Sequence, residues 1–299
     1  MRRNNFYTAA PKLTKLRVSE EIELMDFLLA KMGGMSRNKV KSLLSHRQVS
    51  VNDKITTQFD FPLKSNDLVV INTTRGNIEL NHPLLKIVYE DSDFIVVEKK
   101  EGLLTVTVGT NKDITAFSIL KNYVKKSSPA NKIYTVHRLD KDTSGLLIFS
   151  KNRDLQHMLR NNWHEIVTKR TYVAVVEGRV EKESDQIVSW LTEDEIKLKA
   201  ISSSRDNGGK KAITHYKLLK ATDEYSLMEL ELETGRKNQI RVHMEDIGHP
   251  IVGDRKYGAQ TSIGRLALHA RVLEFYHPIT GELMHFETEI PKEFERLLR

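Results

Sequence analysis

The chain of 299 residues contains no cysteine. That one absence removes disulfide frameworks, thiolate nucleophiles, cysteine-ligated zinc and iron–sulfur clusters. Long apolar runs are missing as well. None approaches the roughly 18 to 20 residues that a hydrocarbon core requires, and the opening MRRNNFYTAAPKL carries charge with no apolar stretch behind it. A cytoplasmic protein with no membrane partner is therefore expected. With only 7 Pro and 15 Gly, the chain is neither collagen-like nor wholly disordered. No Gly-x-Gly-x-x-Gly or Walker-type glycine loop follows a strand-like segment, so nucleotide-cofactor readings lack support. Histidines 137, 157, 164, 243, 249 and 269 are present, but no His-Glu-x-x-His or clustered spacing turns them into a metal site. No cofactor and no metal are expected.

What is present begins with positive charge. Lys and Arg number 47 against 40 Asp and Glu, a net +7, which favours a polyanionic partner provided the charges cluster. They do so in Arg37-Asn-Lys-Val-Lys-Ser-Leu-Leu-Ser-His-Arg47, which holds Arg37, Lys39, Lys41 and Arg47 and no acid. Val40, Leu43 and Leu44 recur at helical spacing, so one face can pack inward while the cations stay outside. A helix over about 20–31, capped by Ser19 and ended by Gly33-Gly34, is expected before it, and Ser36 is placed to cap the basic helix itself. Val49-Ser-Val-Asn52 and Asp67-Leu-Val-Val-Ile71 then read as short strands, with Asn52-Asp53 at a turn. Two small helices followed by short strands, over residues 14–73, resemble the S4 RNA-binding domain, in which the basic second helix lies on RNA. A solvated charged face is the bland reading of the same residues.

The length suggests about two domains, and the polar stretch within 74–84 is the natural linker to a larger domain over 85–299. There the pattern changes to short apolar runs at Ile87-Val-Tyr, Phe94-Ile-Val-Val, Leu146-Leu-Ile-Phe, Tyr172-Val-Ala-Val-Val and Leu227-Met-Glu-Leu-Glu-Leu. Helical candidates lie near 115–125, 153–162 and 237–247. That irregular order predicts an α+β domain on a mixed, largely antiparallel sheet, preceded by the small α/β S4-like domain.

The segment richest in chemistry is Val136-His-Arg-Leu-Asp-Lys-Asp-Thr-Ser-Gly145, leading into a strand. It sets the Asp140 carboxylate between Arg138 and Lys141, and neighbouring positive charge keeps a carboxylate ionised. By composition alone it reads equally as an ordinary polar loop. A Ser-His-Asp hydrolase built from Ser144, His137 and Asp142 fails, since Ser144 lies in no Gly-x-Ser-x-Gly elbow.

His-Arg-Leu-Asp-x-x-Thr-Ser-Gly resembles the signature loop of the RluA-type family of RNA pseudouridine synthases. Further matches follow in order: Lys169-Arg-Thr-Tyr-Val-Ala-Val-Val-Glu-Gly178, Thr234-Gly-Arg-Lys-Asn-Gln-Ile-Arg-Val-His243, Gly253-Asp-Arg-Lys-Tyr257, and Leu268-His-Ala with His277-Pro downstream. The resemblance implies a cofactor-independent isomerase acting on structured RNA, with the pseudouridine synthase fold. It places the catalytic aspartate at Asp140, a tyrosine base at Tyr172, an arginine pairing with the aspartate at Arg241, an RNA-contacting arginine at Arg138 and an apolar pocket wall, or plain core packing, at Leu268. Large-subunit ribosomal RNA is the favoured partner, with transfer RNA as the other candidate, and a monomer is expected. The rival reading is a non-catalytic RNA-binding or ribosome-assembly protein on this fold. Uridine methylation through a cysteine adduct is excluded by composition. The chain departs from the family at Lys99-Lys-Glu-Gly102, where Lys-Pro-x-Gly is usual, and at Asn238, where histidine is common.

Overall fold

A computed structural model describes residues 13–45, 48–72, 80–107, 113–194 and 199–299. Arg47 and most of the expected linker lie outside the described residues. The chain divides into two compact units, Met1–Glu79 with Tyr123–Asn131, and Leu80–Asn122 with Lys132–Arg299.

The first unit contains β1 (Leu13–Arg17), β2 (Ile22–Glu23), α1 (Leu24–Lys31), α2 (Arg37–Ser45), β3 (Val49–Val51), β4 (Lys54–Ile55), β5 (Pro62–Leu63) and β6 (Leu68–Asn72). Its sheet runs β1-β6-β3-β4, and β2 pairs with β5. The helices press Leu24, Phe27, Leu28, Val40, Leu43 and Leu44 onto Val49, Val51, Val69 and Ile71, the alternate residues of the strands. Ser36 Oγ accepts the Lys39 N–H at 3.3 Å, as a cap should. The first helix starts later than expected. Ile22 and Glu23 are drawn into pairing with Leu63 and Pro62, so Glu23, and not Ser19, holds the N-cap. Strand pairing outcompetes a propensity-based start because it satisfies backbone groups that a solvent-exposed first turn leaves open.

The remaining elements are β7 (Leu85–Glu90), β8 (Phe94–Lys99), α3 (Ala116–Ser127), β9 (Tyr134–Thr135), β10 (Ser144–Ser150), α4 (Arg153–Asn161), α5 (Trp163–Ile166), β11 (Val167–Glu177), β12 (Ser184–Asp194), β13 (Lys199–Ser203), β14 (Lys210–Ala221), β15 (Tyr225–Leu232), α6 (Gln239–Asp246), a 3-10 turn (Arg255–Tyr257), β16 (Leu268–Tyr276), β17 (Leu283–Glu287) and α7 (Lys292–Arg296). One sheet orders them β13-β12-β14-β15-β11-β16-β10-β8-β7, with β17 joined to β16 and β9 to β10. Its pairs are antiparallel except β10 with β16. The mixed, largely antiparallel α+β architecture expected from the sequence is what forms.

The central strands are apolar on both faces, as in Phe94-Ile-Val-Val and Leu146-Leu-Ile-Phe, all buried. Helices cover them: Ile240 and Met244 of α6 and Phe294 of α7 join Val173, Val175, Met228 and Leu268 in one cluster. Leu155 and Leu159 of α4 join Phe94, Leu146, Ile148 and Phe275 in another. Among the described residues no helix is long and apolar enough to cross a membrane.

Candidate active site

Asp140 sits in the loop between β9 and β10, and the backbone on either side of it is tied down. Thr105 Oγ1 donates to Leu139 O at 2.8 Å and accepts the Leu139 N–H at 3.1 Å. The Lys99 ammonium, only 1% exposed, donates to Lys141 O at 3.0 Å, Leu103 O at 2.8 Å and Lys100 O at 3.0 Å. Burial pushes its pKa down to about 8, against the raising pull of Asp142, Glu101 and Asp140. His137 Nε2 accepts the Ile148 N–H at 3.2 Å, which requires a neutral ring, and burial beside Arg170 pushes its pKa down to about 3.

The glycine that closes this motif has a steric reason. Gly145 lies at φ +117°, and a Cβ there would stand 2.1 Å from Ala270 O, where β10 and β16 pair in parallel. Only glycine admits that approach. The adjoining Ser144 bonds to a histidine, but to His269 (Oγ to Nδ1 2.7 Å), not His137. The pair is a tie and not a nucleophile. Both residues are buried, His269 Nε2 faces the Thr288 hydroxyl at 2.8 Å instead of a carboxylate, and Arg265 donates into Ser144 Oγ at 2.5 Å. Arg265 also reaches Glu101 and Glu293, each at 2.9 Å, so the loop that departs from the family pattern at Lys100 is engaged by an ion pair through the next residue.

Tyr172 enters from β11, where the register slips between Thr171 and Tyr172 opposite β16. Such an irregularity re-aims side chains. Burial raises the Tyr172 pKa, and the Asp140 charge adds to that while Arg170 works against it, so the hydroxyl is protonated and within electrostatic reach of the carboxylate.

Arg241 comes from α6, whose start is fixed by Gln239. Its amide accepts from Thr234 Oγ1 and the Arg236 N–H and donates to Ile213 O and Thr214 Oγ1. The sequence reading pairs Arg241 with Asp140, but the bidentate fork closes elsewhere. Arg241 Nε and Nη2 donate to Asp254 Oδ2 and Oδ1 at 2.6 and 2.7 Å, Nη1 donates to Asn238 Oδ1 at 3.2 Å, and Nη1 stands 4.0 Å from Asp140 Oδ2. The guanidinium also lies over the Tyr257 ring, 4.8 Å from its centroid. Burial disfavours its charge, but the Asp254 bonds and the Asp254 and Asp140 charges outweigh this and raise its pKa. Asp254 is 2% exposed and Tyr257 is buried completely. Both sit in the motif Gly253-Asp-Arg-Lys-Tyr257, to which the sequence assigned no role. Their signal was a carboxylate and an aromatic three apart in a short polar turn.

Of the other candidates, Arg138 is exposed two residues before Asp140, and Leu268 is buried in the core cluster beside Val173 and Ala174. Arg37, Lys39 and Lys41 are exposed on α2, with Arg37 3.6 Å from Asp26. His243 and His249 are engaged in hydrogen bonds to Ser189 and Thr214, and to Glu177 O. Asp91, Asp93 and His277 have metal-like spacing. His277 Nδ1, however, accepts the Ile279 and Thr280 N–H groups at 3.2 and 3.3 Å, so the neutral ring presents a proton, not a lone pair, to the two carboxylates.

Taken chemically, the site offers a carboxylate, a protonated phenol and a fixed guanidinium around one loop. Residues 93–246 match the family described as RNA pseudouridylate synthase. An RNA pseudouridine synthase of Bacillus subtilis (strain 168), named as uncharacterized, is 34% identical over 288 residues, 94% of this chain and 93% of that protein. The ribosomal large subunit pseudouridine synthase D of Neisseria meningitidis serogroup B is 33% identical over 319 residues, 99% of this chain and 84% of that one. Among solved structures, human RNA pseudouridylate synthase domain containing 1 superposes with a TM-score of 0.56 at 26% identity, covering 69% of this chain and 84% of its own. Human RNA pseudouridylate synthase domain containing 4 shares the fold at a TM-score of 0.58 and 23% identity, over 70% and 90%.

Proposed function

The chain belongs to the RNA pseudouridylate synthase family and is an isomerase converting uridine in RNA to pseudouridine, and from that premise we propose that it acts on large-subunit ribosomal RNA with Asp140 as the catalytic group. Relatives named as large-subunit ribosomal enzymes, similar over most of this chain, support the choice of RNA. A cytoplasmic monomer fits that substrate.

The reaction breaks the C1′–N1 bond, turns the freed uracil and rejoins it through C5, so no atoms are gained or lost. Asp140 assists glycosidic cleavage, by attack at C1′ or by removing a sugar proton. What supports this role is the restraint on the loop: Thr105 and Lys99 hold the residues on either side of the carboxylate, which limits its travel during the rotation. Tyr172 is the base for the C5 proton. Because its hydroxyl is protonated, it can take that proton only by passing its own on, and the Asp140 carboxylate is the acceptor nearby in charge. Arg241 stabilises that anion while Asp254 keeps the guanidinium in place. A stacked uridine must be turned out of its helix to enter the site, and the exposed Arg138 fills the gap it leaves. The first unit is an S4-like RNA-binding domain whose exposed Arg37, Lys39 and Lys41 face phosphates.

Asp140→Asn keeps size and hydrogen bonding and removes the charge. Tritium release from an in vitro transcript of bacterial large-subunit ribosomal RNA labelled at uridine C5 should vanish while RNA binding persists. Release at the wild-type rate would remove Asp140 from the chemistry, and wild-type protein that binds the transcript but releases nothing would favour the non-catalytic reading.

A further inference from the structure

The geometry points to the outward face of α4 as a second RNA-phosphate contact surface, beside the loop that carries Asp140. This rests on RNA being the substrate and names where the catalytic unit grips it.

Asn152 caps α4 through Oδ1, which accepts the Asp154 and Leu155 N–H groups at 2.8 and 3.4 Å, so the helix start is fixed. Leu155 and Leu159 turn into the core. Arg153, His157 and Arg160 follow at i, i+4 and i+7 and fall within one narrow sector on the opposite side, all exposed. Among the described residues, none of the three, nor Arg138, lies within ion-pair distance of a carboxylate. By contrast, Lys151, Lys199, Arg241, Arg265 and Arg271 in the same unit all do. Two arginines aligned one either side of an imidazole and left without protein counterions are what a phosphate backbone can displace solvent from.

The helix is also locked to the catalytic loop. Gln156 Nε2 donates to Thr135 O at 2.7 Å, two residues before His137. Trp163 of α5 packs against the His137 ring with centroids 4.9 Å apart and takes the Arg170 guanidinium over its own ring at 5.7 Å. Arg138 and Asp140 follow His137, and Tyr172 follows Arg170. The stripe is therefore held in register with the site, so phosphates bound along it would place the chain flanking the target uridine.

The test compares Arg153→Gln/Arg160→Gln with Lys217→Gln/Lys220→Gln, an exposed pair on β14 that removes the same charge elsewhere. Binding to the unmodified large-subunit transcript is measured across a salt series, with melting temperatures as a check on folding. Loss of two phosphate contacts should lower the slope of log K against log salt by about 1.4 to 1.8, which at 0.1 M salt is roughly a 25- to 60-fold loss of affinity. Arg153→Lys/Arg160→Lys should restore the slope, and the β14 pair should leave it nearly unchanged. A stripe variant with the wild-type slope, or no steeper a loss than the β14 control, would make α4 a solvated face. Tritium release by the wild-type protein on the same transcript is read alongside. Its absence would overturn the synthase substrate reading and leave the slope comparison intact, whereas its presence with an unchanged slope would overturn the stripe alone.

Discussion

Asp254 is the residue whose removal should be felt twice, once in stability and once in rate. Asp254→Asn preserves shape but leaves the Arg241 guanidinium without its forked counterion in a site where Asp254 is 2% exposed. Breaking a buried pair from one side costs about 3 to 5 kcal/mol. Because Asn238 Oδ1 still accepts from Nη1, the lower end applies, and about 3 kcal/mol corresponds to a fall of roughly 6 to 12 °C in melting temperature for a domain of this size. The guanidinium freed from its fork then has Asp140 as its nearest anion. Closing that contact from 4.0 Å to an ordinary ion-pair distance of about 2.8 Å gains about 1.8 kcal/mol at an effective dielectric of about 20. That stabilises the resting carboxylate and slows cleavage by about 20-fold. The assay is single-turnover tritium release from C5-labelled uridine, run well below the variant's melting temperature. A variant with rate and melting temperature both equal to wild type would refute the fork as the device that positions Arg241. A lower melting temperature with an unchanged rate would leave Asp254 a purely structural counterion.

Tyr172→Phe should retain ring packing and melting temperature while the late C5 proton step slows by at least 100-fold, read as tritium release; normal release would leave Tyr172 a packing residue (about 10²- to 10⁴-fold is usual for general acid–base groups). Lys99 makes a prediction about pH. Its folded pKa of about 8 lies below the usual lysine value of about 10.4, so between those values the unfolded chain binds more protons and stability rises with pH. The wild-type advantage in melting temperature over Lys99→Met should therefore widen from about pH 8 to about 10, and a constant gap would show that the ammonium is not desolvated in the fold.

How far the sequence was legible depended on what buries each segment. The strands at Phe94-Ile-Val-Val and Leu146-Leu-Ile-Phe announced themselves because both faces are covered and the apolar run is unbroken. The paired strands β12 and β14 did not. Ser184–Asp194 and Lys210–Ala221 mix charged and apolar residues on half-exposed strands, a pattern that a polar loop also produces. Within the site, Asp140, Tyr172 and Arg241 were named through short motifs and the structure gathers them around one loop. The fork on Asp254 went unread because spacing along the chain cannot say which of two carboxylates a guanidinium grips, and Asp254 is only 13 residues from Arg241. The part Lys99 plays was not legible, because nothing local marks a lysine whose three acceptors include a carbonyl 42 residues away.

The parallel contact of Gly145 with Ala270 has a consequence for the life of the chain on the ribosome. Ser144 and His269 are 125 residues apart, and β10 gains β16 as a neighbour only after almost the whole chain has been made. Contacts of such long sequence separation form late and slowly, and N-terminal parts emerge and fold first. The loop bearing Asp140 thus stays without one wall until the last strands arrive, so a nascent chain still tethered to its ribosome carries the basic helix α2 well before the surroundings of Asp140 are complete.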